Sequence, residues 1–255
     1  MSVVLIGSMD LSEVRGSRLR HPWETARAFA IERILREAKA RPAAVLDYGC
    51  GDGFTGQRVL QVLGARELLA FDIHLTNEQC ATRSNANIRY ENDWHRTGSS
   101  SFDLCLLCDV IEHVADDRAL LELVRDRLND NGQALVTVPA FQALFTNHDR
   151  ALKHFRRYTL TQLESVIATA GFQVVGSGYL FASLLVGRGV AKMVEAVNPK
   201  ADDDFGIGAW NGSPALTRGV ETLLNLDNLV LLGLASRGIK LPGLSAWTLC
   251  NKRPS

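Results

Sequence analysis

Residues 45–53 read Val-Leu-Asp-Tyr-Gly-Cys-Gly-Asp-Gly, and residues 54–63 continue as FTGQRVLQVL. The short apolar run from Ala43 to Leu46 suits a buried strand, and the segment after Gly53 has helical periodicity. A chain that turns from strand to helix within five residues needs positive φ angles. A ligand can also approach the main chain closely only where Cβ is absent, and alternating glycines meet both needs. Nineteen residues beyond Gly53, Asp72 ends a second apolar run, ELLAFDI (67–73), where an acid is placed to accept hydrogen bonds from a ribose diol.

Outward from this unit the alternation continues. NIRYEN (87–92) and FDLCLLC (102–108) read as strands, 110–128 as a helix and QALVTV (133–138) as a strand. A helix with Leu163, Val166, Ile167 and Ala170 on one face stops at Gly171, followed by strands at FQVVGSG (172–178) and SAWTLCNK (245–252). Upstream, residues 21–40 form an amphipathic helix ended before Pro42. Alternating strands and helices predict an α/β, Rossmann-like doubly wound sheet. Its parts are a helical N-terminal segment (1–42), a core (43–178), a helical insertion (179–243) and a last strand (244–255).

The 255 residues carry 28 Lys+Arg against 28 Asp+Glu, with 46% hydrophobic residues, enough for a sizeable core. Zero net charge argues against a nucleic-acid partner, which counterion release would favour with a basic surplus. Five cysteines without dense spacing suit a reducing compartment. Cys105 and Cys108 stand three apart in a strand and so point to opposite faces, a poor arrangement for redox or zinc chemistry. The N-terminus, MSVVLIGSMDLSE, has no basic region before its apolar run and no cleavage site after it. No run reaches the roughly 18–20 apolar residues of a membrane span. A cytoplasmic location is expected.

VLDYGCGDG, with LLAFDIH and FDLCLLCDVIEHV after it, resembles the class I S-adenosylmethionine-dependent methyltransferases, in order, from residue 21 to about 178. The resemblance implies a seven-stranded sheet with an antiparallel last strand and the cofactor over the carboxyl ends of the first strands. It implies further that Gly49, Cys50, Gly51 and Gly53 line the methionyl and ribose portions, with Asp47 near the methionine ammonium. Asp72, with Ile73 beside it, would hold the ribose hydroxyls, and Asp93 would meet the adenine amino group, with Trp94 in place of a smaller residue. Cys108 joins this cofactor set. The segment from His21 to Arg27 resembles the His-Trp-Trp-Phe-x-x-Arg motif of bacterial small-molecule and glycan-associated methyltransferases, departing from it at Pro22 and Thr25. Through Arg27 it adds a further cofactor residue. The run from His148 to Thr159 resembles the HD...HxRRYT stretch of the same group.

Methyl transfer is an in-line displacement on a sulfonium carbon, so the protein mainly aligns donor and acceptor and removes a proton from a hydroxyl acceptor. Residues after the fourth and fifth strands are best placed to do so. His148 and His154 can supply a base, and Arg157, Arg156 and Tyr158 follow them. Asp109, Glu112 and His113 share a helical face, and resemblance to certain small-RNA and quinone-pathway O-methyltransferases implies a divalent metal on these three, with His148 as a further ligand. A capping box, Asp109 at the N-cap and Glu112 at N3, is the preferred reading, so no metal is expected. The insertion's second helix, apolar around most of its circumference, must be covered by the sheet edge, a second subunit, or a greasy acceptor and the bilayer surface. The expected activity is transfer of a methyl group from S-adenosyl-L-methionine to oxygen on a small or lipid-linked metabolite, leaving S-adenosyl-L-homocysteine. The alternatives are a metal-dependent O-methyltransferase and a non-catalytic cofactor-binding or assembly subunit.

Overall fold

The computed structural model describes residues 20–99, 101–197 and 210–254. The stretch before Arg20, including the apolar run weighed as an export signal, and most of the loop expected after Val197 lie outside the described residues. Seven strands form one sheet: β1 (Ala44–Tyr48), β2 (Glu67–Phe71), β3 (Ile88–Glu91), β4 (Phe102–Cys108), β5 (Leu128–Pro139), β6 (Phe172–Leu180) and β7 (Ser245–Lys252). Their order is β3-β2-β1-β4-β5-β7-β6. The first five pair in parallel, while β7 runs antiparallel to both β5 and β6. The chain therefore reverses its winding between β1 and β4, where α/β sheets open a crevice for ligands.

The parallel strands are apolar on both faces because both are covered. On one face Leu46, Phe71, Cys105, Leu107 and Val136 meet Leu120 and Val124 of α4 (Asp117–Arg125) and Leu163 and Ile167 of α6 (Leu160–Thr169). On the other, Val45, Leu68, Leu104, Leu106 and Leu249 meet three helices. These supply Ile31 and Leu35 of α1 (Pro22–Glu37), Val59 and Leu63 of α2 (Phe54–Leu63), and Leu224 and Leu232 of α8 (Pro214–Ala235). Cys105 and Cys108 fall in opposite layers, both as free thiols. Two short helices escape periodicity, α3 (Asn77–Arg83) behind a Thr76–Gln79 capping box and α5 (Asn147–Ala151).

The continuous helix expected over 110–128 is not formed. Asp109 takes a left-handed φ of 57°, Ile111–His113 makes only a three-residue 3₁₀ turn, and a new helix starts where Asp116 accepts the Ala119 N–H at 2.9 Å. Leu128 belongs to β5, opposite Phe102 of β4. Asp109 is thus no N-cap, since Val110 holds that position without a side-chain bond.

The insertion consists of α7 (Ala182–Val197) and α8. α8 lies on α1 and β6 and extends the second core layer with Leu224 and Leu232. Asn228, at 0% exposure, ties it down: its Oδ1 accepts the Phe181 N–H at 3.0 Å and its Nδ2 donates to the Ala26 carbonyl at 3.4 Å. Val186 and Met193 of α7 and Leu223 and Leu226 of α8 remain exposed. No described helix is long and apolar enough to cross a membrane. Asn228→Ala leaves the Phe181 N–H buried without an acceptor. It should cost about 1–3 kcal/mol, read as a lower urea midpoint, and an unchanged midpoint would show that water replaces the bond.

Candidate functional site

The site begins at the tip of β1. Gly49 and Gly53 take φ values of 75° and 84°. A Cβ on Gly49 would stand 2.6 Å from Val110 Cγ2, and one on Gly53 would stand 2.0 Å from the Tyr90 hydroxyl. Glycine is therefore required at both places, by backbone conformation and by close approach. The loop is laced to β2: the Phe71 carbonyl accepts the N–H groups of Gly49 and Cys50 at 2.8 and 3.1 Å. Asp72 accepts the Gly51 N–H through Oδ2 and the His74 N–H through Oδ1, both at 2.9 Å.

Asp47, 2% exposed, accepts the Gly56 N–H at 3.1 Å. Burial pushes its carboxyl up to about 7, against the pull of that bond and of Arg27, with Asp72 and Asp52 adding repulsion. A cation arriving beside Asp47 would favour its ionised form.

Across the crevice, α1 sends Arg27 to the carboxylate of Asp109. The guanidinium also lies over the Trp23 ring, 4.6 Å from its centroid. Thr137 Oγ1 donates to the other Asp109 oxygen at 3.3 Å. These contacts hold a non-glycine residue in a conformation it rarely adopts.

The far wall is organised by Asp149, at 0% exposure. One carboxylate oxygen is shared by Arg157 Nε at 2.8 Å and His154 Nδ1 at 2.9 Å. The other accepts Arg188 of α7 at 2.6 Å and the Thr146 N–H at 2.9 Å. Burial opposes the charge, but His154 and Arg157 overcome it and hold the carboxyl well below the usual range. Beside this wall Glu112 is fully buried with neither oxygen hydrogen-bonded, and burial and then Asp109 hold its carboxyl well above the ordinary range. Burial and His154 bring His113 down to about 4, so its ring is neutral at physiological pH.

Loop and wall enclose one cavity of about 580 Å³, within the range of small-molecule sites. Of the predicted cofactor residues, Asp47, Gly49, Cys50, Gly51, Cys108 and Arg27 line it, and of the predicted catalytic residues, His148, His154 and Arg157 do. Gly53, Asp72, Ile73, Asp93, Trp94 and Tyr158 lie outside that lining. Asp72 braces the loop from behind. Asp93 accepts the His95 N–H at 2.9 Å and caps its own 3₁₀ turn. Trp94 packs on Tyr48 and Phe71, with centroids 5.1 Å apart in each case. The Tyr158 hydroxyl donates to Asp117 at 2.7 Å and is a brace. Asp109 and His148 do not join Glu112 and His113 as a cluster of metal-ligand type. The third member there is His154.

Sequence reasoning missed Arg188, Asp149, Arg20 and Asp52. Arg20 bonds both Glu24 and Asp52 at the mouth of the loop. The signal for Arg188 was a basic residue between Gly187 and Gly189 in a largely apolar helix.

A family description of the methyltransferase domain matches residues 22–177. The trans-aconitate 2-methyltransferase of Deinococcus radiodurans is 25% identical over 179 residues, covering 69% of this chain and 66% of that protein, just under two thirds of its length. Among solved structures, the plantazolicin methyltransferase, in complex with a monoazolic desmethylPZN analog and SAH, has a TM-score of 0.54 at 14% identity. It covers 95% of this chain and 89% of its own. A SAM-dependent methyltransferase from Archaeoglobus fulgidus has a TM-score of 0.51 at 16% identity, covering 90% of this chain and 97% of its own. The glycine loop braced by Asp72, the antiparallel β7 and the family match over residues 22–177 agree: the chain belongs to the methyltransferase-domain family.

Proposed function

We propose that the protein moves the methyl group of S-adenosylmethionine to an oxygen of a small or lipid-linked metabolite held between the glycine loop and the Asp149 wall. The observation that carries this reading is a cavity whose one face is glycine loop and whose other is histidine, arginine and glutamate. The loop fits the cofactor: Gly49, Cys50 and Gly51 line the cavity, and the buried Asp47 gives a carboxylate to the methionine ammonium. Asp72, already holding Gly51 and His74, keeps the loop in the shape that receives the ribose. Bound there, the cofactor supplies an electrophilic methyl group. The remaining work is alignment, exclusion of water and removal of the acceptor proton.

His148 stands on the cavity wall and takes the proton of the acceptor hydroxyl in this account. His154 and Arg157, both fixed by Asp149, form the polar surface against which the acceptor rests. A small acid as acceptor is supported by the similarity to trans-aconitate 2-methyltransferase. An acceptor with an apolar tail is supported by Val190, which lines the cavity and is 51% exposed.

The test is incubation with methyl-labelled S-adenosylmethionine and an extract of the source cells, separated into small-molecule, lipid, protein and nucleic-acid fractions. Label is expected in the small-molecule or lipid fraction, bound as an ester or ether. Label confined to protein or nucleic acid would contradict the proposal. Asp72→Ala should weaken S-adenosylhomocysteine binding by about 1–3 kcal/mol in calorimetry, and equal affinity would remove Asp72 from the cofactor site. His148→Ala should lower turnover roughly 10²–10⁴-fold with cofactor affinity unchanged, and full turnover would remove it as the base.

A further inference from the structure

Glu112 and His113 have no part in the proposed methyl transfer. Glu112 is buried to 0% exposure and neither carboxylate oxygen has a hydrogen-bond partner, a costly arrangement unless something pairs with it. His113, 5% exposed, hydrogen-bonds the Leu152 backbone while its Nδ1 has no partner. His154 lies edge-on to His113, ring centroids 4.5 Å apart, with its Nδ1 on Asp149 at 2.9 Å. One ligand atom from each of Glu112, His113 and His154 falls within 4.8 Å of the others, and all three residues line the cavity.

We propose that Glu112, His113 and His154 hold a divalent transition-metal ion. Two imidazoles and one carboxylate suit zinc, manganese or iron(II), whereas calcium and magnesium prefer all-oxygen sets. The bond from Asp149 to His154 Nδ1 is the outer-shell carboxylate contact that fixes a ligating imidazole, leaving Nε2 for the ion. Arg157 and Arg188 lock Asp149 in turn. Three protein ligands on a cavity wall leave further positions open, as in catalytic rather than closed structural sites. Asp109 is not a ligand, since Arg27 and Thr137 occupy its oxygens. The site stands independently of the proposed acceptor. Only its use, as a Lewis acid for the acceptor oxygen, rests on the methyltransferase reading.

The full chain, stripped with chelator and dialysed against zinc chloride or manganese chloride, is desalted and its retained metal measured, with no methyl donor present. One equivalent is expected, and retention of none would overturn the proposal. Glu112→Met and His154→Asn each remove a ligand and should abolish retention of the metal through desalting, and undiminished retention by both would overturn the site. Glu112→Met removes the unpartnered carboxyl, so its metal-free form should melt at or above the wild-type midpoint. A lower midpoint would give Glu112 a structural task and count against the proposal. Cobalt(II) loading adds a check that does not depend on affinity. The absorption should be that of nitrogen and oxygen donors, and a thiolate-to-metal charge-transfer band would place the ion on a cysteine instead.

Discussion

The carboxylate of Asp72 reaches back from the end of β2 to the Gly51 N–H, and the rest of the site depends on that contact. It holds the loop after β1 against the end of β2, so that Gly49, Cys50, Gly51 and Asp52 line the cavity. The crevice exists there because the winding of the sheet reverses between β1 and β4. An acid at the strand tip, glycines at positive φ and a sheet whose order switches are one mechanical unit, and substitution at any of them disturbs the others.

Asp149 plays the corresponding part on the opposite wall. A fully buried carboxylate is tolerated only when paired and hydrogen-bonded, and this one is met by Arg157, Arg188 and His154. Because Arg188 comes from α7, the insertion between β6 and β7 contributes directly to the wall of the cavity. α8 explains how that insertion is held: its apolar residues complete the core layer over α1, and Asn228 satisfies backbone groups of Phe181 and Ala26.

The alternation of strands and helices and the glycine loop were legible in the sequence because they are local: apolar runs of fixed period, and glycines where the backbone must turn. The antiparallel β7 was legible only through resemblance to a family. The inward turn of Glu112 was not legible, since it follows from the left-handed φ of Asp109, a non-glycine residue held there by Arg27 from 82 positions away. A capping box and a 3₁₀ turn share the same four letters, and only the fold distinguishes them. Nor could spacing show that Asp93 caps its own turn or that Tyr158 points at Asp117. The link between Arg188 and Asp149 spans 39 residues, beyond any local pattern.

The most direct test of the central claim is a crystal structure with S-adenosylhomocysteine bound. The homocysteine portion is expected against Gly49–Gly51, its ammonium toward Asp47, and the sulfur open to the cavity that His148, His154 and Arg157 line. A ligand whose sulfur faces away from that wall, or one seated elsewhere on the sheet, would contradict it.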